Sequence, residues 1–357
     1  MRATEGGVSH IAQAIEGDLK IRNTGLHKPH VAALSDLAAS VLICRSVNTS
    51  EWRSILPRKD CAEKSREQYI SRLLGNSLIV PVRVMGGFAP EILRRAASHG
   101  QTVVVMLDQS KISDGFECLM VSLRVGERAI PLAWRVIKTE GAIGFNIQKP
   151  LLDAVVDMVP EGVTILLAAD RFYGTANLIQ WCQRRHWNYR IRLKGNLTLK
   201  HEGGEITTGE AANAGLNALL HAELGRVTTH IGIIHEKAHP EPWIIAMNDM
   251  PSKHKILDYG MRWGIESMFS DFKSRGFGVT ETQLQHADRI ERLILVLTVA
   301  LYWAVSTGME ASASPPSMTA PKNGAHSSHF SSRDSELSAI SPLRSPLCTG
   351  YGLTCIL

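Results

Sequence analysis

The spacing of apolar and polar residues divides the chain into successive segments of different character. Over roughly the first hundred residues, apolar positions recur at helical spacing, most clearly in residues 30–45, and this predicts a small helical region. Beyond it, short runs of β-branched and apolar residues alternate with helical stretches, which is typical of an α/β fold. We expect strands at residues 102–108, 117–125, 129–137 and 163–170, and helices at residues 147–158 and 174–186.

After residue 187 the pattern shifts to short strand-like segments, at residues 189–193, 226–235 and 243–247, which alternate with Gly-rich turns. This pattern predicts a β-rich insertion. Helical spacing returns at residues 255–275 and 288–306. From residue 308 the chain is rich in Ser, Pro and Ala without periodicity, so we expect a disordered or atypical tail. The predicted domains are a helical, basic N-terminal domain (1–100), the first part of an α/β core (101–186), the insertion (187–254), the second part of the core (255–307) and the tail (308–357).

Charge is distributed unevenly along the chain. The net charge is +5, yet residues 20–99 alone carry 13 Lys and Arg against 6 Asp and Glu. A basic segment suits a polyanion such as DNA, although a merely soluble basic surface would give the same pattern. We therefore expect the N-terminal domain to bind DNA.

The cysteines and the apolar runs indicate the compartment. The six cysteines form no C-x-x-C pair, which argues against a zinc site or a disulfide framework and fits a reduced cytoplasm. The N-terminal segment lacks the apolar stretch of a signal peptide. The longest apolar run, residues 293–305, is too short to span a bilayer and predicts a core helix, with no membrane association.

Two acidic residues, Asp108 and Asp170, each end a predicted buried strand. Active sites of α/β folds gather at the carboxyl ends of strands, and carboxylates are the ligands that Mg²⁺ or Mn²⁺ prefers. Two such ions about 4 Å apart promote phosphodiester displacement. The alternative for each residue taken singly is a helix-capping or loop carboxylate.

A third acid lies in the predicted helix of residues 255–275. Tyr259, Arg262, Glu266 and Lys273 follow one another at spacings that place them on one face of an α-helix. A solvated face with an Arg262–Glu266 ion pair would explain two of these residues. It leaves Tyr259 and Lys273 unexplained.

The signature Tyr-(2)-Arg-(3)-Glu-(6)-Lys resembles that of the "insertion sequence four" family of bacterial DDE transposases. Tyr259, Arg262, Glu266 and Lys273 match it in full. The segments Val-Met-Leu-Asp-Gln-Ser around Asp108 and Ala-Ala-Asp-Arg-Phe-Tyr-Gly at residues 168–174 are similar to the family's contexts for its two aspartates. The resemblance covers residues 30–306.

This resemblance implies an RNase H-like catalytic core with a β-rich insertion. Asp108, Asp170 and Glu266 would be the catalytic residues and the ligands of two Mg²⁺ or Mn²⁺ ions. Tyr259, Arg262 and Lys273 would contact phosphates near the transposon end, as suits charged and hydrogen-bonding side chains.

Two weaker candidates lie in the insertion. Trp243 stands where some relatives stack a flipped base, although a Trp that packs in the core would fit equally well. Arg190, Arg192 and Lys194 belong to a basic cluster that could bind backbone phosphates, or could be a solvated strand face.

The function implied is cut-and-paste transposition of an insertion sequence. The expected partners are double-stranded DNA, as terminal inverted repeats and as target, and a second copy of the chain on paired ends. The expected location is the bacterial cytoplasm at the nucleoid. Residues 309–357 have no net charge, unlike the basic ending of the family, so the tail leaves the activity of this copy open. Two alternatives are a metal-dependent nuclease of the same fold, and an inactive DNA-binding remnant that represses.

Overall fold

The computed structural model of the protein describes residues 2–58, 60–235 and 241–313. In these residues the strands are β1 (Val103–Ser113), β2 (Phe116–Val125), β3 (Arg128–Lys138), β4 (Ile165–Ala169), β5 (Asn188–Arg192), β6 (Thr198–His201), β7 (Gly204–Thr207), β8 (Ala218–Leu224), β9 (Val227–Ile234) and β10 (Trp243–Met247). The α-helices are α1 (Arg2–Ile21), α2 (Lys28–Cys44), α3 (Thr49–Ile55), α4 (Glu63–Gly75), α5 (Pro81–Gly86), α6 (Ala89–Ala96), α7 (Phe145–Val156), α8 (Ala176–Arg184), α9 (Thr208–Asn213), α10 (Lys253–Leu257), α11 (Trp263–Phe272) and α12 (Ala287–Ala313).

One mixed sheet of ten strands organises the fold, in the order β3-β2-β1-β4-β5-β10-β9-β8-β6-β7. Strands β1, β2 and β3 form an antiparallel meander, while β4 pairs parallel to both β1 and β5. All five residues of β4 are buried, as expected of a central parallel strand covered on both faces. This mixed α/β architecture is the predicted fold class and is consistent with an RNase H-like core.

The strands of the β-rich segment extend this same sheet. Strand β10 pairs antiparallel with β5 on one side and with β9 on the other, and β8 follows β9. The segment of residues 187–254 therefore lengthens the sheet beyond β4. Strand β10 was predicted with its observed bounds, since its apolar run is bounded by turn residues on both sides.

Helix α12 is the main contact between the sheet and the N-terminal helices. It packs against β3 on one side and against α2 and α4 on another. The Trp134 indole donates to the Glu291 carbonyl at 3.0 Å, and Arg292 Nε donates to the Leu74 carbonyl at 2.6 Å. The stretch Ala287–Gly308 is long and apolar enough to cross a membrane, but 83% of its apolar window is buried inside the protein, as in a core helix.

Several predicted elements differ in their bounds from those observed. Strand β1 does not end at Asp108 but continues to Ser113, because its second half pairs with β2 in a hairpin. The helix predicted at residues 255–275 is divided into α10, a 3₁₀ turn at Asp258–Arg262, and α11. Helix α12 continues to Ala313, and the rest of the predicted tail, residues 314–357, lies outside the described residues.

Candidate active site

Asp108 and Asp170 lie side by side at the edge where two parallel strands separate. The parallel pairing of β1 with β4 ends at Leu107 opposite Ala169, and each acid is the next residue of its chain segment. Asp108 stays in β1, paired with Met120 of β2, whereas Asp170 begins a 3₁₀ turn. The parallel register therefore brings together two carboxylates that are far apart in the sequence, as the pattern predicted.

The third acid joins them through one arginine. Arg262 donates from Nη1 to Asp108 Oδ2 at 2.7 Å and from Nη2 to Glu266 Oε1 at 2.5 Å. Its Nε donates to the Tyr259 hydroxyl at 3.2 Å, and that hydroxyl donates to Asp170 Oδ1 at 3.2 Å. The three acids are thus linked through hydrogen bonds to a single guanidinium and a single phenol.

The 3₁₀ turn before α11 explains this convergence. In a 3₁₀ helix, residues three apart lie over one another, so Tyr259 and Arg262 face the same side. Both are buried, with relative exposures of 2% and 7%, which excludes the solvated-face interpretation for them. Glu266 follows one α-helical turn after Arg262, and its side chain is half exposed. Lys273 follows the last residue of α11 and is not part of this group; it donates instead to Ser110 Oγ at 2.6 Å.

The charges of the site are unbalanced. Burial raises the pKa of Asp108 to about 6; Arg262 and the Gln109 amide oppose this rise, and the nearby charges of Asp170 and Glu266 add to it. Burial alone would lower the pKa of Arg262, but Tyr259 and the three carboxylates together raise it. One permanently charged guanidinium therefore faces three carboxyl groups, and one of the two bonded directly to it, Asp108, has a pKa above that of an ordinary Asp.

The phenol of Tyr259 is a stable donor in this group. Burial raises the pKa of Tyr259 to about 12; Arg262 opposes this rise and Asp170 adds to it. The hydroxyl therefore keeps its proton at neutral pH and can donate a hydrogen bond to the Asp170 carboxylate. Tyr259 links the aspartate to the arginine without carrying a charge.

Gln109, next to Asp108, fixes the loop that follows β3. Its amide nitrogen donates to the Gly141 carbonyl at 2.8 Å, and its oxygen accepts from the Ile143 amide at 2.9 Å and from the Tyr173 hydroxyl at 3.3 Å. In the sequence, Gln109 stands out only as part of the motif that contains Asp108. Its several partners come from separate segments, and no local pattern reveals them.

The donor chemistry of the three acids fits a hard divalent cation, since carboxylate oxygens are its preferred ligands. In the part of the chain that the structure describes, however, no three His, Cys, Asp or Glu side chains are arranged to hold one ion. The Arg262 guanidinium lies between Asp108 and Glu266. A cation held by both of these acids would take the place that Arg262 now fills.

Trp243 is buried behind Tyr259 and does not face the solvent. It is 4% exposed and packs edge-on against Tyr259, with ring centroids 5.2 Å apart, and at a tilt against Trp263 at 5.5 Å. The core-packing alternative describes this position, and base stacking by Trp243 stays a prediction. Trp263, by contrast, is 41% exposed at the start of α11.

The basic cluster of β5 separates into a buried and an exposed part. Arg190 is 3% exposed and bonded to Asp249 at 2.8 Å, so its charge is used inside the protein. Arg192 reaches Glu241 at 3.3 Å, and Lys194 is exposed. Lys194 is therefore at the surface and the Arg192 side chain is partly exposed, at 18%, whereas Arg190 is buried.

Arg171 is a surface cation that was not among the site residues predicted from the sequence. It directly follows Asp170, and its Nη1 donates to Glu241 Oε2 at 2.8 Å. The Asp-Arg motif was the available signal, since the motif places a cation beside the second acid. Nothing in the sequence pairs it with Glu241, which lies 70 residues later.

A family model described as the transposase DDE domain matches residues 146–303 of the chain. The matched segment contains Asp170 and Glu266, together with Tyr259, Arg262 and Lys273. The match supports a DDE transposase. No curated protein matches the chain.

Proposed function

We propose that this protein is a transposase that cuts DNA at the ends of an insertion sequence and joins them to target DNA. One observation carries the proposal: carboxyl groups from β1, from the end of β4 and from α11 meet around Arg262. A single guanidinium can neutralise the charge of only one of these three carboxyl groups. Carboxyl groups that converge from separate elements in this way are typical of a site that binds hard divalent cations.

Asp108, Asp170 and Glu266 would hold the cations in this proposal. Two Mg²⁺ or Mn²⁺ ions bound there would stabilise the attacking and leaving oxygens of a phosphodiester displacement. Asp108 and Asp170 come from adjacent strands and are fixed by their neighbours' amides, with the Arg171 amide donating to Asp170 at 2.6 Å. Glu266 is half exposed and free to adjust its side chain as substrate binds.

Arg262 has two roles in this proposal. In the free protein it neutralises part of the charge of Asp108 and Glu266. With cations held by these acids, its guanidinium would be available for a DNA phosphate, to which an arginine can donate two parallel hydrogen bonds. Lys273 would contact the same strand, because it lies beside Ser110, two residues beyond Asp108. For the buried Tyr259, a phosphate contact follows from the family resemblance alone.

The remaining parts of the proposal follow from the family resemblance. The substrates are double-stranded terminal inverted repeats and target DNA, and two copies of the protein hold the paired ends. The basic N-terminal helices would add non-specific DNA affinity. The protein would act in the bacterial cytoplasm, at the nucleoid.

A cleavage assay tests the proposal. The substrate is a DNA fragment with the inverted repeats that flank the gene, incubated with Mg²⁺ or Mn²⁺, and the readouts are nicked and joined products. Asp108→Asn should lower cleavage on the order of a thousandfold or more, about 4 kcal/mol in the barrier, while DNA binding persists. Asp114→Asn is the matched control, since Asp114 is an exposed acid at the other end of the same strand hairpin.

The products separate the alternatives. Nicks without joined products would indicate a nuclease of the same fold. If the wild-type protein binds the repeats but never cuts them with either metal, the proposal is wrong and a repressor remnant is the better interpretation. Equal losses in Asp108→Asn and Asp114→Asn would show that Asp108 has no special role.

A further inference from the structure

An exposed aromatic ring lies among cations beside the second acid. Phe172 follows Asp170 by two residues and is 50% exposed. Lys194 Nζ lies 5.3 Å from the centroid of its ring. A single exposed apolar residue is ordinary on a protein surface. This ring is a candidate contact for a ligand because a cation lies against it and the second acid is two residues away.

Two arginines next to this ring converge on one carboxylate. Arg171 and Arg192 lie 2.8 Å and 3.3 Å from the same oxygen of Glu241. Glu241 is 61% exposed, and Arg171 is 43% exposed. Guanidinium groups that hold a carboxylate oxygen have the geometry to hold a phosphate oxygen, and a phosphodiester of DNA carries the same single negative charge as a carboxylate.

The backbone fixes these side chains against each other. The 3₁₀ turn Arg171–Tyr173 ends at Gly174, where an added Cβ would lie 2.5 Å from the Arg192 carbonyl oxygen. Only glycine permits this approach of the turn to the end of β5. The ring and the cations from the two segments therefore form one continuous surface, which we call the flank site: Arg171, Phe172, Arg192 and Lys194.

We propose that the flank site binds an unpaired nucleotide of DNA, with its phosphate between Arg171 and Arg192 in place of Glu241 and its base against Phe172. The unpaired state follows from the ring, because a base inside a duplex has both faces covered by its neighbours. This inference rests on the proposed function: a strand opened at the cleavage site would supply such a nucleotide next to Asp170. Glu241 occupies the phosphate position until DNA arrives.

Binding measured by fluorescence anisotropy without divalent metal tests the flank site. The probes are a labelled single strand of about 15 nucleotides, within the range that one protein domain covers, and the same sequence as a duplex. Phe172→Ala should weaken binding of the single strand about tenfold, with little change for the duplex. Phe172→Trp should retain or improve it, which separates stacking from a folding defect, and unchanged melting temperatures should accompany both variants.

The charged residues give independent readouts. Glu241→Gln should strengthen single-strand binding, since it removes the competitor for both arginines. Arg171→Ala should weaken it and lower the slope of log affinity against log salt by about 0.7, the value for one phosphate contact on a single strand. Arg185→Ala is the matched control, since Arg185 is also 43% exposed but is bonded to Asp153, and it should change neither quantity.

The outcomes also separate this inference from the proposed function. Single-strand binding unchanged by Phe172→Ala, or reduced equally for single strand and duplex, would overturn the flank site even if the wild-type protein cuts its repeats. Selective loss in Phe172→Ala together with stronger binding by Glu241→Gln would support the flank site even if no cleavage were found, and only the transposase proposal would then be wrong.

Discussion

Two buried arginines of this protein have nearly the same partners but different charge balance. Arg22, directly after α1, donates to Asp18 at 2.9 Å, to Glu91 at 2.7 Å and to the Tyr302 hydroxyl at 2.9 Å. Arg262 likewise bonds to two acids and a tyrosine. Each guanidinium also lies near the ring of its own tyrosine.

The difference between the two lies in what surrounds them. Arg22 is further covered by Phe88, 4.4 Å from its ring centroid, and joins α1 and α6 to α12. Arg262 faces a third carboxyl group, Asp170, through Tyr259. The first arrangement binds helices together, whereas the second leaves negative charge in excess. Excess charge, more than the presence of a buried ion pair, marks the candidate active site.

The largest expected effect on stability comes from Arg22. Arg22→Ala leaves the Asp18 carboxylate, with a side chain only 3% exposed, without its charged partner. We expect the free energy of unfolding to fall by about 3–5 kcal/mol, as for other broken buried ion pairs. Urea denaturation followed by circular dichroism measures it. Arg95→Ala is the control, because Arg95 bonds Glu91 at the surface and should cost about 1 kcal/mol or less; similar losses in both variants would contradict the structural role of Arg22.

The next effect depends on pH and concerns Asp108. Its pKa rises from 3.8 to about 6 on folding, so between these values the folded protein binds more protons than the unfolded chain. The free energy of unfolding therefore falls as pH rises through this window. The destabilisation from ionising the buried Asp108 is absent below about pH 4 and complete above about pH 6. Asp108→Asn removes this destabilisation. The free energy of unfolding of the variant minus that of wild type should therefore rise by on the order of 2–3 kcal/mol between about pH 4 and about pH 7.

Urea denaturation of both proteins at several pH values provides the measurement. Asp114→Asn, in the same strand hairpin but exposed, should track the wild-type curve. A constant difference between Asp108→Asn and wild type across the window would mean that Asp108 does not titrate in it.

The smallest effect tests whether a cation can replace Arg262. Arg262→Ala should lower stability by about 1–3 kcal/mol, since hydrogen-bonded buried acids lose their donor. Mg²⁺ at ten times its dissociation constant should restore about 1.4 kcal/mol, because it binds only the folded protein. Melting temperatures with MgCl₂, compared with NaCl of equal ionic strength, give the readout. The same Mg²⁺ should not rescue Arg22→Ala; rescue of both variants, or of neither, would remove the distinction between the two arginines.

Several features of the fold and the site were predictable from local patterns. Strand β10 and the buried runs before Asp108 and Asp170 were predicted because apolar β-branched residues between turn signals specify strands wherever they occur. The helix pattern also showed that Tyr259, Arg262 and Glu266 belong together. The length of β1 was not predicted, since its second half is held by pairing with β2 and not by its own composition.

The sequence by itself identified the candidate residues of the site: three acids in order along the chain, with a tyrosine, an arginine and a lysine at fixed spacing. The tertiary structure alone decided which side chains are buried and which partners they bond. It turned Trp243 and Arg190 inwards, bonded Lys273 to Ser110, and placed Arg262 between Asp108 and Glu266. Strand and helix formation depend on neighbours in the chain, but the partner of a charged side chain depends on which distant segments the fold brings within about 4 Å.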